Sequence, residues 1–267
     1  MHLLILGGIG EALQLASALA SMHTVTYSVA GKGRIPALSG VAVRVGGFGG
    51  VEGLAAFLRE QCIELLIDAT HPYAAQISQN AALAARLTGV SWWAYRRPAW
   101  QLEPGEKGCS VADWAGIMTA LREFQRPFFT IGLEPLRHIA EIPLNQHWLV
   151  RCLAAEPPAS SRLALLCATG PFSLDQELAL FRDYRIDVLV AKNSGGRAVE
   201  AKLIAARQLK IPVVMLERPA LPAADREFTT VEALVAALWN VKISDAADTI
   251  PHVPYCTDRT PEIPPVE

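Results

Sequence analysis

Leu3-Leu4-Ile5-Leu6-Gly7-Gly8-Ile9-Gly10-Glu11-Ala12 decides the fold. Four apolar residues read as a short buried strand, three glycines break it, and residues 11–22 then take a helical period on Leu13, Leu15 and Leu19. The same alternation continues outward. Apolar runs at 24–29, 41–45, 64–68 and 91–95 read as strands, and 54–62 and the Ala-rich 74–87 as helices. Short strands joined through helices predict parallel pairing with helices on both faces.

Arg97-Pro98-Ala99-Trp100-Gln101-Leu102-Glu103-Pro104-Gly105 has no period, and its prolines and glycine mark a linker over 98–106. The pattern then resumes, with helices at 112–124, 174–184, 198–209 and 231–239. Strands are expected at 127–131, 147–153, 163–167, 187–191 and 213–216. The expectation is an α/β protein of two Rossmann-like parallel-sheet lobes with a cleft between them: residues 1–97 form the first lobe and 107–240 the second. Residues 241–267, with Pro251, Pro254, Pro261, Pro264 and Pro265, read as a poorly ordered tail.

Composition excludes several classes. The 267 residues are 51% apolar and 19% charged, which rules out a disordered chain. Lys plus Arg number 24 against 26 Asp plus Glu, so nothing marks a general nucleic-acid binder. No apolar run approaches the roughly 20 residues of a membrane span, and the start lacks the basic region of a signal peptide. Cys62, Cys109, Cys152, Cys167 and Cys256 lie far apart, predicting reduced thiols, no metal site and a cytoplasmic protein.

Ligands of parallel sheets bind at the carboxyl ends of strands, so those loops carry the candidate site. Gly7, Gly8, Ile9, Gly10 and Glu11 join a strand to a helix N-terminus, which suits a pyrophosphate, although a glycine turn can equally be a tight connection. From Gly8 and Gly10 the third glycine of G-x-G-x-x-G is replaced by Leu13. NAD sites place a carboxylate at the end of the second strand, yet none occurs between Ala12 and Val51. Ser28-Val29-Ala30-Gly31-Lys32-Gly33-Arg34 instead offers a hydroxyl and two cations, which favours NADPH/NADP+ through its 2′-phosphate. Gly46-Gly47-Phe48-Gly49-Gly50 could lie against a cofactor, with Phe48 packed on a flat group or merely anchoring a turn. Asp68, Thr70, His71 and Tyr73 close the fourth strand, and Thr70 could also be an ordinary cap. In the second half, Gly170-Pro171-Phe172 and Lys192-Asn193-Ser194-Gly195-Gly196-Arg197 precede helices and suit anions. Arg96-Arg97 beside Trp92 and Trp93, and Arg218-Pro219, add cations at further strand ends.

These loops, in this order, resemble the precorrin-6A reductase family of cobalamin biosynthesis, in its cobalt-free and cobalt-containing forms. The likeness spans Met1 to about Trp239. Its matching stretches include 4–12, 28–31, 43–50, 68–74, 97–100, 170–172, 192–196 and 218–219. The resemblance implies hydride transfer from NADPH to a tetrapyrrole ring carbon. It further implies a substrate channelled from neighbouring pathway enzymes, with no nucleic-acid or membrane partner. Cofactor contacts would come from Gly7, Gly8, Ile9, Gly10, Glu11, Ser28, Ala30, Lys32, Arg34, Gly47, Phe48, Gly49, Thr70 and His71. Substrate carboxylates would meet Arg97, Gly170, Pro171, Phe172, Lys192, Ser194, Gly195, Gly196 and Arg197. Tyr73, His71 and Lys192 are the candidate proton donors, in no order. Two departures stand out. Ile9 replaces a usual hydroxyl residue, and Lys32-Gly33 stands where an Arg often follows Ala30-Gly31.

Two other functions share this pattern. One is a different NADP-dependent reductase or epimerase, against which no tyrosine is followed by Lys four residues later. The other is a non-catalytic NADP-sensing protein.

Overall fold

The computed structural model describes residues 1–31, 36–101, 103, 106–153, 155–156, 160–196 and 200–244. The first half runs β1 (His2–Leu6), α1 (Gly10–Leu19), β2 (Thr24–Val29), β3 (Val41–Val45), α2 (Gly50–Glu60), β4 (Leu65–Asp68), α3 (Ala75–Thr88) and β5 (Ser91–Tyr95). Next come β6 (Gly108–Val111), α4 (Trp114–Ala120), β7 (Pro127–Thr130), a 3₁₀ segment (Glu134–Glu141), β8 (Trp148–Cys152) and β9 (Leu163–Cys167). The chain continues with α5 (Leu174–Asp183), β10 (Val188–Lys192), α6 (Ala201–Gln208), β11 (Val213–Leu216), β12 (Arg226–Phe228) and α7 (Val231–Ser244).

Two six-stranded sheets result, ordered β12-β5-β4-β1-β2-β3 and β6-β11-β10-β7-β8-β9. Every pairing in both is parallel. From β1 or from β7, each sheet reads 3-2-1-4-5 plus an outer strand, the order of dinucleotide-binding folds. The outer strand is exchanged in sequence: β6 follows β5 but pairs with β11, whereas β12 follows β11 but pairs with β5.

Strand periodicity builds the layers. In β1, Leu3 and Ile5 pack on Leu15 and Leu19 of α1 and Leu234 and Leu238 of α7. Leu4 and Leu6 face the other way, onto Leu54 and Leu58 of α2 and the alanines of α3. In the second sheet Phe129 and Val150 meet Ile117 of α4, while Phe128 and Leu189 meet Phe181 of α5 and Ala205 of α6. Both faces of each sheet are therefore covered, as its continuous apolar strands require.

The described residues divide into one unit of Met1–Thr70, Gln76–Arg96 and the chain from Pro222 to residue 244, and a second of His71–Ala75 and Arg97–Leu221. That corrects the expected second lobe of 107–240. β12 adds to the first sheet, and α7 packs beside α1. The apolar face of α1 needs a cover that residues 1–97 do not supply. The loop carrying His71 and Tyr73 likewise belongs to the second unit. Residues 241–244 continue α7, and the rest of the expected tail lies outside the described residues.

Candidate functional site

In the first unit the strand-to-helix turn after β1 is built around Tyr27. This ring is 1% exposed, and its hydroxyl accepts the Gly8 N–H at 3.1 Å. Burial raises its pKa, with the Gly8 bond opposing. A Cβ at Gly7 would lie 2.2 Å from Tyr27 Cζ, so Gly7 serves the protein's own packing. Gly8 (φ +128°) and Gly10 are exposed, with open space where a Cβ would stand. Ile9 is the extended N-cap of α1 and is 7% exposed. It gives the first N–H groups of α1 no side-chain cap, and Glu11 lies in that turn.

Ser28, at the end of β2, is 4% exposed and its carbonyl accepts the Gly7 N–H at 2.8 Å; Ala30 is exposed. Lys32 and Arg34 lie outside the described residues. The glycine loop after β3 is braced by Arg44, a residue that sequence reasoning passed over. Its guanidinium donates to Gly46 O (2.7 Å) and Gly47 O (2.9 Å) and lies 3.8 Å from the Phe48 ring centroid. Phe48 and Phe57 meet edge to face with centroids 5.2 Å apart, and the Arg44 guanidinium covers one face of the Phe48 ring. Gly47 and Gly49 are exposed, and no atom would crowd a Cβ on either.

Asp68 is fully buried and turned inward. It accepts from Thr70 N and Oγ1 (3.1 and 2.7 Å), Ser78 Oγ (2.6 Å) and Arg96 (2.9 Å). Asp68 is thus a structural hub, and the Thr70 hydroxyl is spent on it. Sequence spacing gives no sign of this, because Arg96 comes from the end of β5.

His71 and Tyr73 share the second unit with a group of cations. His71 Nδ1 accepts the Tyr73 N–H at 3.2 Å. Its pKa falls to about 4, through burial first and then Arg97, Lys192, Arg218 and Lys202. The imidazole is neutral at pH 7. The Tyr73 hydroxyl donates to Leu216 O and accepts the Asn193 N–H at 2.7 Å. Burial raises its pKa, so its proton is held. Lys192 Nζ lies 5.1 Å from the Tyr73 ring centroid, and desolvation lowers its pKa, against Glu134.

The loop after β10 is clamped to the 97–100 segment. Asn193 accepts from Trp100 N (2.7 Å) and donates to Trp100 O (3.0 Å). Arg218 donates to the carbonyls of Asn193, Arg97 and Pro98, at 2.6 to 3.1 Å. Gly195 and Gly196 admit this strap, since Cβ atoms there would meet Pro98 O at 2.0 Å and Arg97 Nη1 at 2.4 Å. Ser194 is 6% exposed, and its hydroxyl donates to Lys192 O at 3.2 Å. Arg97 is 8% exposed. Arg197 lies outside the described residues. Gly170 and Pro171 are exposed, while Phe172 sits 4.0 Å beneath the Arg151 guanidinium. Among the described residues no cluster could hold a metal ion, no helix is long and apolar enough to span a membrane, and no disulfide joins Cys62, Cys109, Cys152 or Cys167.

A family model described as precorrin-6x reductase CbiJ/CobK matches residues 2–239. A precorrin-6A reductase of Rhodococcus erythropolis is 46% identical over 243 residues, covering 88% of this chain and 96% of that one. One of Rhodobacter capsulatus is 40% identical over 230 residues, 84% of this chain and 90% of its own. A cobalt-precorrin-6A reductase of Methanothermobacter thermautotrophicus is 30% identical over 241 residues, covering 82% and 77%. The solved structure titled CobK precorrin-6A reductase superposes with a TM-score of 0.80 at 38% identity, over 90% of this chain and 96% of that one. With a family model matched over residues 2–239 and a relative 46% identical over 88% of this chain, the chain belongs to the precorrin-6x reductase family.

Proposed function

We propose that this protein is a cytoplasmic enzyme that reduces one ring double bond of precorrin-6A, or of its cobalt form, with NADPH. Family membership with a near-full-length likeness to named precorrin-6A reductases carries this proposal.

The residues of the first unit fit a dinucleotide. Open space over Gly8 and Gly10 and an uncapped α1 leave N–H groups for a pyrophosphate. The end of β2 has no carboxylate to repel a 2′-phosphate, for which Lys32 and Arg34 are the proposed partners. Gly7 and Ser28 shape that turn, while Ala30, Gly47, Phe48, Gly49 and Thr70 are proposed to border the cofactor. When bound, NADPH supplies the hydride.

The second unit suits a substrate fringed with carboxylates. Arg97, Lys192 and Arg197, with the turn at Gly170-Pro171-Phe172, are proposed to receive them, and the Asn193 and Arg218 clamps hold that loop in place. Reduction also needs one proton. Of the three candidates, His71 is neutral and Tyr73 has committed its proton, which leaves the Lys192 ammonium, with its lowered pKa, as the acid. Delivery of the substrate from the preceding enzyme belongs to the same proposal.

Incubating the protein with precorrin-6A and NADPH should bleach the near-ultraviolet absorbance of the reduced nicotinamide and yield a product heavier by two hydrogens. NADPH binding without consumption would favour a sensor, and consumption only with other metabolites a different reductase.

A further inference from the structure

A cavity of about 220 Å³ lies wholly within the second unit, at the carboxyl ends of β7, β8 and β9. Thr130, Gly132, Arg151, Phe172, Glu177 and Lys202 are among its lining. Arg151 and Glu177 form a bidentate pair at 2.6 and 2.8 Å, with side chains 9% and 2% exposed. Both carboxylate oxygens of Glu177 thereby accept from Arg151, whose guanidinium lies over the Phe172 ring (4.0 Å) and the Phe128 ring (4.8 Å).

Lys202, in the first turn of α6, is 7% exposed and opens onto the same space. Among the described residues its Nζ has no hydrogen bond or ion pair, and it lies 5.5 Å from the Trp100 ring centroid. Burial lowers its pKa to about 8, against Glu177, with Arg151 acting in the same direction as burial. A buried ammonium at the wall of a cavity favours a negatively charged group within its reach.

Size and charge choose the ligand. The cavity holds about seven waters at roughly 30 Å³ each. It is smaller than the roughly 300–1,000 Å³ of clefts that take a whole ligand. What enters is therefore an arm of a larger molecule. With Arg151 and Glu177 neutralising each other, one positive charge remains, matching a single carboxylate rather than a phosphate dianion. Cys152, Leu153, Ala168 and Phe172 give the walls apolar surface for a short methylene stem.

We infer that this cavity is a subsite for one acetate or propionate arm of the substrate, whose carboxylate pairs with Lys202 Nζ against a fixed wall formed by the Arg151–Glu177 pair. The assignment deepens the tetrapyrrole reading above and rests on it for the identity of the arm, but not for the chemistry of the pocket. Lys202 is a binding residue and takes no part in hydride or proton transfer.

Two measurements on the full-length protein test it. In steady-state turnover, Lys202→Met should raise KM for the tetrapyrrole roughly 10- to 100-fold, with kcat and the KM for NADPH near wild type. An unchanged tetrapyrrole KM in an active variant overturns the subsite. In thermal unfolding, sodium propionate should raise Tm of the wild type above that in equal sodium chloride, through mass action on the folded state, and should not do so for Lys202→Met. Equal shifts in both proteins, or none in the wild type, overturn it. Should the wild type fail to turn over any tetrapyrrole, the parent reading falls and the propionate arm alone decides the pocket.

Discussion

Replacing Gly7 with alanine isolates the contact on which the first turn depends. The added Cβ would stand 2.2 Å from Tyr27 Cζ and 2.3 Å from both Cε2 and the hydroxyl oxygen. Real Cβ atoms do not approach that closely, so backbone or ring must move. Tyr27 is 1% exposed, paired in register with Ile5 and tethered to the Gly8 N–H, so the ring has nowhere to retreat. Overpacking of this kind costs about 1–3 kcal/mol. At about 2 kcal/mol the variant should lose about 4–8 °C in Tm for a chain of this size. A double-mutant cycle with Tyr27→Leu identifies the cause. Leu removes the ring carbons and hydroxyl in question, so Gly7→Ala should cost less in that background, with a coupling of about 1–2 kcal/mol. Scanning calorimetry of the four proteins gives the cycle. Equal cost of Gly7→Ala in both backgrounds would refute the packing role and return Gly7 to a purely cofactor-facing one.

Other expectations follow from particular contacts. Arg96→Met removes the cation that pairs with a fully buried Asp68 and should cost about 3–5 kcal/mol by denaturant titration. A loss near zero would mean that Thr70 and Ser78 suffice to hold the carboxylate. Lys192→Met should lower kcat by roughly 10²–10⁴ if its ammonium delivers the proton, while NADPH affinity measured by fluorescence stays put; a wild-type kcat would hand the role to solvent. Lys202, faced by Glu177 and Arg151, has a folded pKa of about 8 against 10.5 when free. The unfolded chain therefore binds more protons between those values, and stability should climb as pH rises through that window. Below pH 8 the buried charge costs about 3 kcal/mol, so Lys202→Met should unfold at a higher temperature at pH 7 and lose the alkaline gain. A lower Tm for the variant at pH 7 would contradict this.

How much of this was legible in the sequence depended on how local each cause was. The β1–α1 turn, the apolar strands and the helices of both sheets are written in short-range periodicity, and they stand near the expected positions. β6 (Gly-Cys-Ser-Val) and β12 (Arg-Glu-Phe) carry no such period. They are strands only because β11 and β5 offer an open edge to pair with. The cover for α1 likewise arrives from α7, more than two hundred residues later. Within the site, residue type identified the loops but not the direction of the side chains. Asp68 turns inward because Arg96, Thr70 and Ser78 converge on it. Glycine had two meanings that spacing cannot separate. Gly7, Gly195 and Gly196 make room for Tyr27, Pro98 and Arg97, whereas Gly8, Gly10, Gly47 and Gly49 leave space unfilled. Lys202 carried no motif at all, and only its burial beside the Arg151–Glu177 pair marks it.

Turnover with NADPH deuterated at the transferable position of the nicotinamide addresses the hydride claim most directly. A product of precorrin-6A carrying one deuterium on a ring carbon, with its second new hydrogen drawn from water, is the expected result. A reduced product without cofactor deuterium, or no product while NADPH stays bound, would contradict the account.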